Sequence, residues 1–325
     1  MGLRSYIVSR IGQMVVTYVA FLTILFYLFR VMPGDPTTRF VMQGLPEEQR
    51  QEMIANMGLD QPLYVQYYHY LRQLTQGDLG MSFYYNEPVW NVMVVKFWNT
   101  IFLMLVALGI AFLIGVYGGA LLAWWRGSRT ESLGVIFALI SRSVPVFFTG
   151  IMLILLFAVN VSLFPTGGMH PPGTEHESFW GRYFNLTFVY HGILPVVALA
   201  FSFLSIPMLL MRNTMLDVLN ADFIDLKRAE GLSEYTVLYK HAVRNSILPL
   251  VTVAAIVAGS AMGGSVLIEV VFNWPGMGRA MVDAVYTNDY PLAMATFFFM
   301  GSMVIFANFI ADLLYGYLDP RVSYE

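Results

Sequence analysis

The residues able to do chemistry are few, and their scatter excludes most kinds of site. Five histidines (His69, His170, His176, His191, His241) show no H-x-x-x-H spacing, so no pair of them is set for one metal on one helix face. Cysteine is absent, which removes disulfides, thiolate metal sites and cysteine nucleophiles. No G-x-x-x-x-G-K-[ST] segment is present to cradle ATP phosphates. What remains is isolated charge in apolar surroundings, notably Arg142, Glu269 and Asp312, and one charge-rich segment from Arg212 to Asn245.

The surroundings explain why such charges stand out. Of the 325 residues, 57% are apolar and only 12% charged, about half the charge of a soluble domain. The net charge of −3 gives no reason to expect a nucleic-acid partner. About 20 apolar residues cross a hydrocarbon core of about 30 Å. Six stretches qualify: 11–29, 100–125, 133–159, 192–211, 246–268 and 290–311. The first could pass for a signal peptide, but its apolar run is long and no small-x-small site follows, so it reads as a retained span.

Placing the N-terminus inside puts ten of the eighteen Lys and Arg into the short inner segments, at over three times the outer density. Both termini are therefore expected in the cytoplasm of an all-α integral membrane protein with six transmembrane helices. The domain reading is 1–32 for the N-terminus and first span, 33–98 for an extracytoplasmic helical cap, and 99–325 for a five-helix core. In the cap, Pro46 with Glu47 and Glu48 opens one helix that Gly58 stops. Asp60-Gln61-Pro62 opens a second, carrying Tyr67, Tyr70 and Leu74 to Gly77. That cap either packs on the bundle or meets an external delivery protein.

Arg142 lies about 9 residues into the third span, roughly 13 Å deep at the helical rise. A charge there faces protein or water rather than lipid. It can recognise a substrate carboxylate, form a gate, or make a structural pair with a carboxylate. Glu269 closes the fifth span and can face a cationic substrate or, preferably, pack at the helix end. Asp312 reads as an anchor for the C-terminal turn. Among the prolines, Pro145 could hinge the third span, whereas Pro195 and Pro249 read as first-turn residues.

The segment 212–245 holds five basic and five acidic residues, and this balance argues against a polybasic lipid strip. Met215, Leu216, Leu219, Phe223, Ile224 and Leu226 fall at helical spacing, Gly231 breaks the helix, and Val237, Leu238 and His241 continue in a second one. Such a hairpin suits docking into a partner's groove, or lying flat on the inner membrane surface.

Asp225-Leu226-Lys227-Arg228-Ala229-Glu230-Gly231 resembles the EAA loop of ABC importer permeases, and His241-Ala242-Val243-Arg244-Asn245-Ser246-Ile247-Leu248-Pro249 is similar to the B-type permeases of dipeptide and oligopeptide importers. The resemblance runs along nearly the whole chain. It includes Pro33-Gly34-Asp35-Pro36, Gly77-Asp78-Leu79-Gly80 with Ser82, Ser143-Val144-Pro145-Val146-Phe147, Trp274-Pro275-Gly276-Met277-Gly278-Arg279, Asp289-Tyr290-Pro291, Asp312-Leu313-Leu314-Tyr315-Gly316 and Asp319-Pro320-Arg321. Asp225 departs from the motif's glutamate, and Arg228 and Glu230 make the loop more charged than the general pattern.

The resemblance implies a type I ABC importer permease fold in the plasma (inner) membrane of a prokaryote. It implies a second homologous permease subunit as heterodimer partner, two ABC ATPase subunits holding ATP and Mg, and an extracytoplasmic substrate-binding protein. The chain itself is then non-catalytic and binds no cofactor or metal. Its ATPase-coupling residues would be Asp225, Leu226, Lys227, Arg228, Ala229, Glu230, Gly231 and Leu232. Its translocation-path candidates would be Arg142, Ser143, Pro145, Phe147 and Glu269. The cargo would be a di- or oligopeptide, or alternatively an oligosaccharide or a nickel chelate. A self-sufficient secondary transporter would call for paired acidic residues or broken helices in two inverted halves, and no internal repeat appears.

Overall fold

The computed structural model describes residues 3–31, 46–56, 58, 60–174 and 178–318. Pro33-Gly34-Asp35-Pro36, His176 and Asp319-Pro320-Arg321 lie outside them. The described chain is helical, with one isolated antiparallel bridge between Met81 and Pro88. In order the helices are α1 (Leu3–Val31), α2 (Glu47–Asn56), α3 (Leu63–Gln76), α4 (Val89–Trp124), α5 (Arg129–Ser143), α6 (Val146–Asn160), α7 (Phe179–Tyr183), α8 (Leu186–Leu219), α9 (Asp222–Ala229), α10 (Glu234–Ser246), α11 (Leu248–Val271), α12 (Met277–Tyr286) and α13 (Tyr290–Leu318).

Four of these helices, α1, α4, α8 and α13, are long and apolar enough to cross a membrane. Two bent pairs, α5 with α6 and α10 with α11, qualify when each pair is taken together. Several helices outrun the apolar stretches, because polar flanking turns stay helical when they are capped. Thus α8 starts at Leu186, where the Asn185 side chain accepts the Phe188 N–H at 2.7 Å. Pro195 therefore lies inside α8 and not in a first turn, which corrects the sequence reading, and Pro207 lies inside it too. Pro249 does open α11.

The third apolar stretch is not one straight helix. At Val144-Pro145 the chain turns by 101° between α5 and α6. Proline clashes with a helical predecessor and drives Val144 to φ −79°, ψ 126°. A gentler bend of 55° separates α10 from α11.

The tightest packing joins α4 to α8. A Cβ on Gly119 would stand 2.3 Å from the Met208 carbonyl oxygen, and one on Gly115 would stand 2.6 Å from Pro207 Cγ. With no side chain at either position the two backbones close up, as small residues permit in membrane bundles. Ala107 and Ala111 continue the same buried stripe. At the chain's two ends, Arg10 of α1 pairs with Asp312 of α13 at 3.2 Å, and Tyr6 donates to the Asp312 carbonyl. In the segment before α4, α3 packs on α1 through a Thr23–Tyr67 hydroxyl contact at 2.7 Å and Phe26–Tyr70 rings 5.6 Å apart.

Asp289 ties that segment to the start of α13. Its fully buried carboxylate accepts the Ser82 hydroxyl, the Phe83 N–H at 3.2 Å and the Tyr84 N–H at 3.0 Å. It also caps α13 by accepting the Leu292 N–H at 3.3 Å. Two of the short motifs, Gly77–Gly80 with Ser82 and Asp289-Tyr290-Pro291, thus meet as one joint. Asp289→Ala would remove the acceptor of the buried Ser82 hydroxyl, two part-buried N–H contacts and a helix cap, at a cost of about 3 kcal/mol. Thermal unfolding in detergent should show the loss, and an unchanged midpoint would remove Asp289 from this role.

Candidate functional site

The hairpin after α8 is built locally from two stop signals. α8 runs straight through Met215 and Leu216 to Leu219, so these residues belong to the long helix and not to the hairpin, a correction of the sequence reading. Asn220 ends it and Ala221 is extended before α9 begins at Asp222. At the far end of α9, Gly231 adopts φ +80°, a conformation that side chains rarely tolerate. There the Gly231 N–H reaches the Arg228 carbonyl at 3.0 Å and the Leu232 N–H reaches the Lys227 carbonyl at 3.4 Å. This paired return is a Schellman stop. Ser233 then caps α10 by accepting the Thr236 N–H.

The hairpin has two faces. Ile224, Val237, Leu238 and Ala242 are buried against Met211 and Met215 of α8, Ala120 and Ala123 of α4, and Leu250 of α11. Ile224 is thus an inner-face residue. The outer face carries Phe223, Leu226 at 59% exposure and Tyr235 at 73%. Three ion pairs lie within the hairpin: Lys227 with Glu230 at 2.8 Å, and Arg228 with Asp225 at 3.2 Å and with Glu234 at 3.3 Å. Exposed pairs of this kind contribute about 0.5 kcal/mol each, whereas each buried Ile, Val or Leu contributes about 2 kcal/mol. Apolar burial therefore fixes the hairpin on α4 and α8. The ion pairs leave Asp225, Leu226, Arg228, Ala229, Glu230 and Gly231 at the surface, with Lys227 and Leu232 half-buried.

A contact absent from the sequence reading joins this end of α8 to α5. Arg212 donates through Nε to Glu131 Oε1 at 2.9 Å and through Nη2 to the same oxygen. Glu131 itself sits in a Ser128-x-x-Glu131 cap, with its N–H on Ser128 Oγ at 3.1 Å and its second oxygen on the Gly127 N–H at 2.6 Å. That capping-box spacing was the available signal.

The path candidates are not brought together as a group. Arg142 is exposed in the last turn of α5 and has no ion pair among the described residues. Ser143 beside it returns its hydroxyl to the Leu139 carbonyl at 2.9 Å, Pro145 forms the bend, and Phe147 is 41% exposed on α6. Glu269 lies apart and fully buried. Its Oε1 accepts the Thr100 hydroxyl at 2.7 Å and its Oε2 the Arg279 N–H at 3.0 Å. Thr100 accepts the Met277 N–H in turn, and Asn99 next to it donates to the Pro275 carbonyl. Gly276 is obligatory here, since a Cβ would come 2.4 Å from the Glu269 carboxyl carbon. Glu269 is the carboxylate around which the Trp274–Arg279 turn is folded.

Among the described residues, no cluster of three or more His, Cys, Asp or Glu is placed to hold a metal. Glu269→Gln keeps the acceptor for Thr100 but sets its amide NH2 against the Arg279 N–H, and should lower the melting point less than Glu269→Ala. Glu269→Ala leaves Thr100 and the Arg279 N–H unpaired and should cost about 2–3 kcal/mol. Equal melting of the two variants would contradict this assignment.

Two family models cover the chain. Residues 3–104 match the N-terminal region of binding-protein-dependent transport system membrane components, and residues 115–324 match the binding-protein-dependent transport system inner membrane component. The chain is 34% identical to the dipeptide transport system permease protein DppB of Escherichia coli (strain K12), over 99% of both chains. It is 35% identical to the oligopeptide transport system permease protein AppB of Bacillus subtilis (strain 168), over 99% of this chain and 100% of that one. It is 32% identical to the glutathione transport system permease protein GsiC of Escherichia coli O6:H1, over 99% of each. With several helices apolar enough to span a bilayer and both family models matched, the chain belongs to the binding-protein-dependent transport system inner membrane components, the permease subunits of ABC importers.

Proposed function

We propose that this protein is the permease subunit of an ATP-driven peptide importer and forms half of its translocation pathway. The bent pair α5–α6 counts as one span and α11, after the cytoplasmic α10, as another, giving six with both termini cytoplasmic. A second homologous permease completes the pathway, two ATPase subunits bind below, and a binding protein delivers di- or oligopeptides from outside. Relatives named for dipeptide, oligopeptide and glutathione transport support a peptide cargo. The catalytic step, ATP hydrolysis with Mg, belongs to the partner subunits.

The observation that carries this reading is the two-faced hairpin. Its inner face is locked to α4 and α8, while its outer face offers Phe223 and Leu226 amid ion pairs that neutralise one another. A helix of that character suits a groove on an ATPase subunit. Closure of the ATPase pair on ATP would then move α9, α10, α4 and α8 as one body. Arg212 and Glu131 would pass the motion to α5, and the Val144-Pro145 bend would release α6 from following rigidly. The motor selects between two conformations by binding one of them better. Arg142, Ser143, Pro145 and Phe147, at or beside that bend, are the proposed path residues, and Glu269 organises the turn behind them.

Gly231→Pro cannot reach φ +80°, since proline is held near −65°. The variant should insert into the membrane, lose peptide uptake and associate weakly with the ATPase. Normal uptake would refute the docking role. Leu226→Asp tests the outer face without disturbing the turn, because that side chain is largely exposed. Co-purification of the ATPase should fall about tenfold, as for loss of an interface anchor. Arg142→Ala should change peptide uptake while leaving assembly with the second permease intact. Failure to pair would give Arg142 a structural role at that interface.

A further inference from the structure

A cavity of about 630 Å³ opens where α1, α3 and α13 converge, beside the Asp289 joint. Its walls differ in character. On one side stand apolar residues of membrane-crossing helices, Phe29 of α1 with Met294 and Phe298 of α13. Arg30 and Tyr70 line it too, and they bring a guanidinium and a hydroxyl. Arg30 occupies the last turn of α1, where a spanning helix meets the edge of the hydrocarbon core. Its Nε–H is buried with no hydrogen-bond partner among the described residues, and so is the Tyr70 hydroxyl. Arg30 stacks over the Phe26 ring at 5.4 Å, which orients the guanidinium but supplies no acceptor. Asp78 also lines the cavity, yet it turns back to accept the Gly80 N–H at 2.9 Å and makes no ion pair with Arg30.

A buried guanidinium N–H and a buried phenol without acceptors are costly unless an acceptor arrives. Burial pushes the Tyr70 hydroxyl well above the usual tyrosine range, so it remains a donor at any physiological pH. An arginine fork with a neighbouring O–H suits a tetrahedral anion offering several oxygens. The apolar wall continues down α13 into the spanning part of that helix, which a small soluble anion would not use. We propose that this cavity binds an anionic phospholipid, with the phosphodiester on Arg30 and Tyr70 and an acyl chain along Phe298 and Met294. The lipid would act as a fourth element of the joint, holding α3 against α1 and α13.

The test uses the assembled importer, delipidated in mild detergent and followed by native mass spectrometry. Short-chain phosphatidylglycerol, phosphatidylcholine, inorganic phosphate and a dipeptide are titrated separately. One phosphatidylglycerol should be retained per copy of this chain, in preference to phosphatidylcholine. Arg30→Gln should lower its occupancy at least about fivefold, and Arg30→Lys should recover part of it. Tyr70→Phe, which keeps the ring packing, should weaken retention about twofold to threefold, so the proposal stays testable if Arg30→Gln assembles poorly. Arg72→Gln, exposed on the same α3, should change nothing. Retention indifferent to Arg30 and Tyr70 would mean ordinary surrounding lipid and overturn the site. Arg30-dependent capture of phosphate or of the dipeptide in place of the lipid would overturn the lipid assignment.

Discussion

The close approach of α4 and α8 is the constraint on which the other contacts depend. Gly115 and Gly119 let α4 settle onto Pro207 and Met208 of α8 without a side chain between the backbones. In a bilayer no hydrophobic force draws two apolar helices together, so fit between backbones has to do it. Both ends of the structure use the pair as a fixed base. At one end, Ala120 and Ala123 of α4 join Met211 and Met215 of α8 to seat the hairpin. At the other, Asn99 and Thr100 of α4 hold the Trp274–Arg279 turn, with Trp274 donating to the Asn99 carbonyl at 3.0 Å. A shift of α8 along α4 would disturb both ends together.

How much of this was legible in the sequence depended on whether a local signal or a distant partner made each feature. Gly231, the two helices flanking it and the cap helices all rest on short-range chemistry, and each was readable from a few residues. The ends of α4 and α8 were not, because hydropathy weighs apolar content while a capped polar turn such as Asn185–Phe188 remains helical. The split at Asn220-Ala221 was hidden by helical spacing that continued across it in phase. The 101° turn at Pro145 was legible only as a possible kink, since the angle is set by what α6 packs on. Gly150 of α6 lies against Phe272 and Ile268, more than a hundred residues along the chain.

The quoted short motifs show the same division more sharply. Each was recognisable as a resemblance, but none revealed its physical reason until it met its counterpart. Ser82 and Asp289 are 207 residues apart and complete one carboxylate's shell. Thr100 and Glu269 are 169 apart and complete another. Glu131 drew no notice in the sequence because its partner, Arg212, was counted among loop charges.

Charge set among the apolar helices therefore separates into two kinds. Glu269 and Asp289 are sunk to zero exposure, and each is held by hydroxyl and backbone donors from two segments. Such carboxylates are saturated, and a passing substrate would have to break existing bonds to engage them. Arg142, at the flexure between α5 and α6, is exposed with no ion pair among the described residues, and Arg30, at the rim of α1, keeps a buried Nε–H with no acceptor among them. A guanidinium with free N–H groups gains from each acceptor that reaches it and loses little in return. The acids hold this permease together, and the proposed ligand contacts fall instead on Arg30 and Arg142, whose guanidinium groups make no ion pair among the described residues.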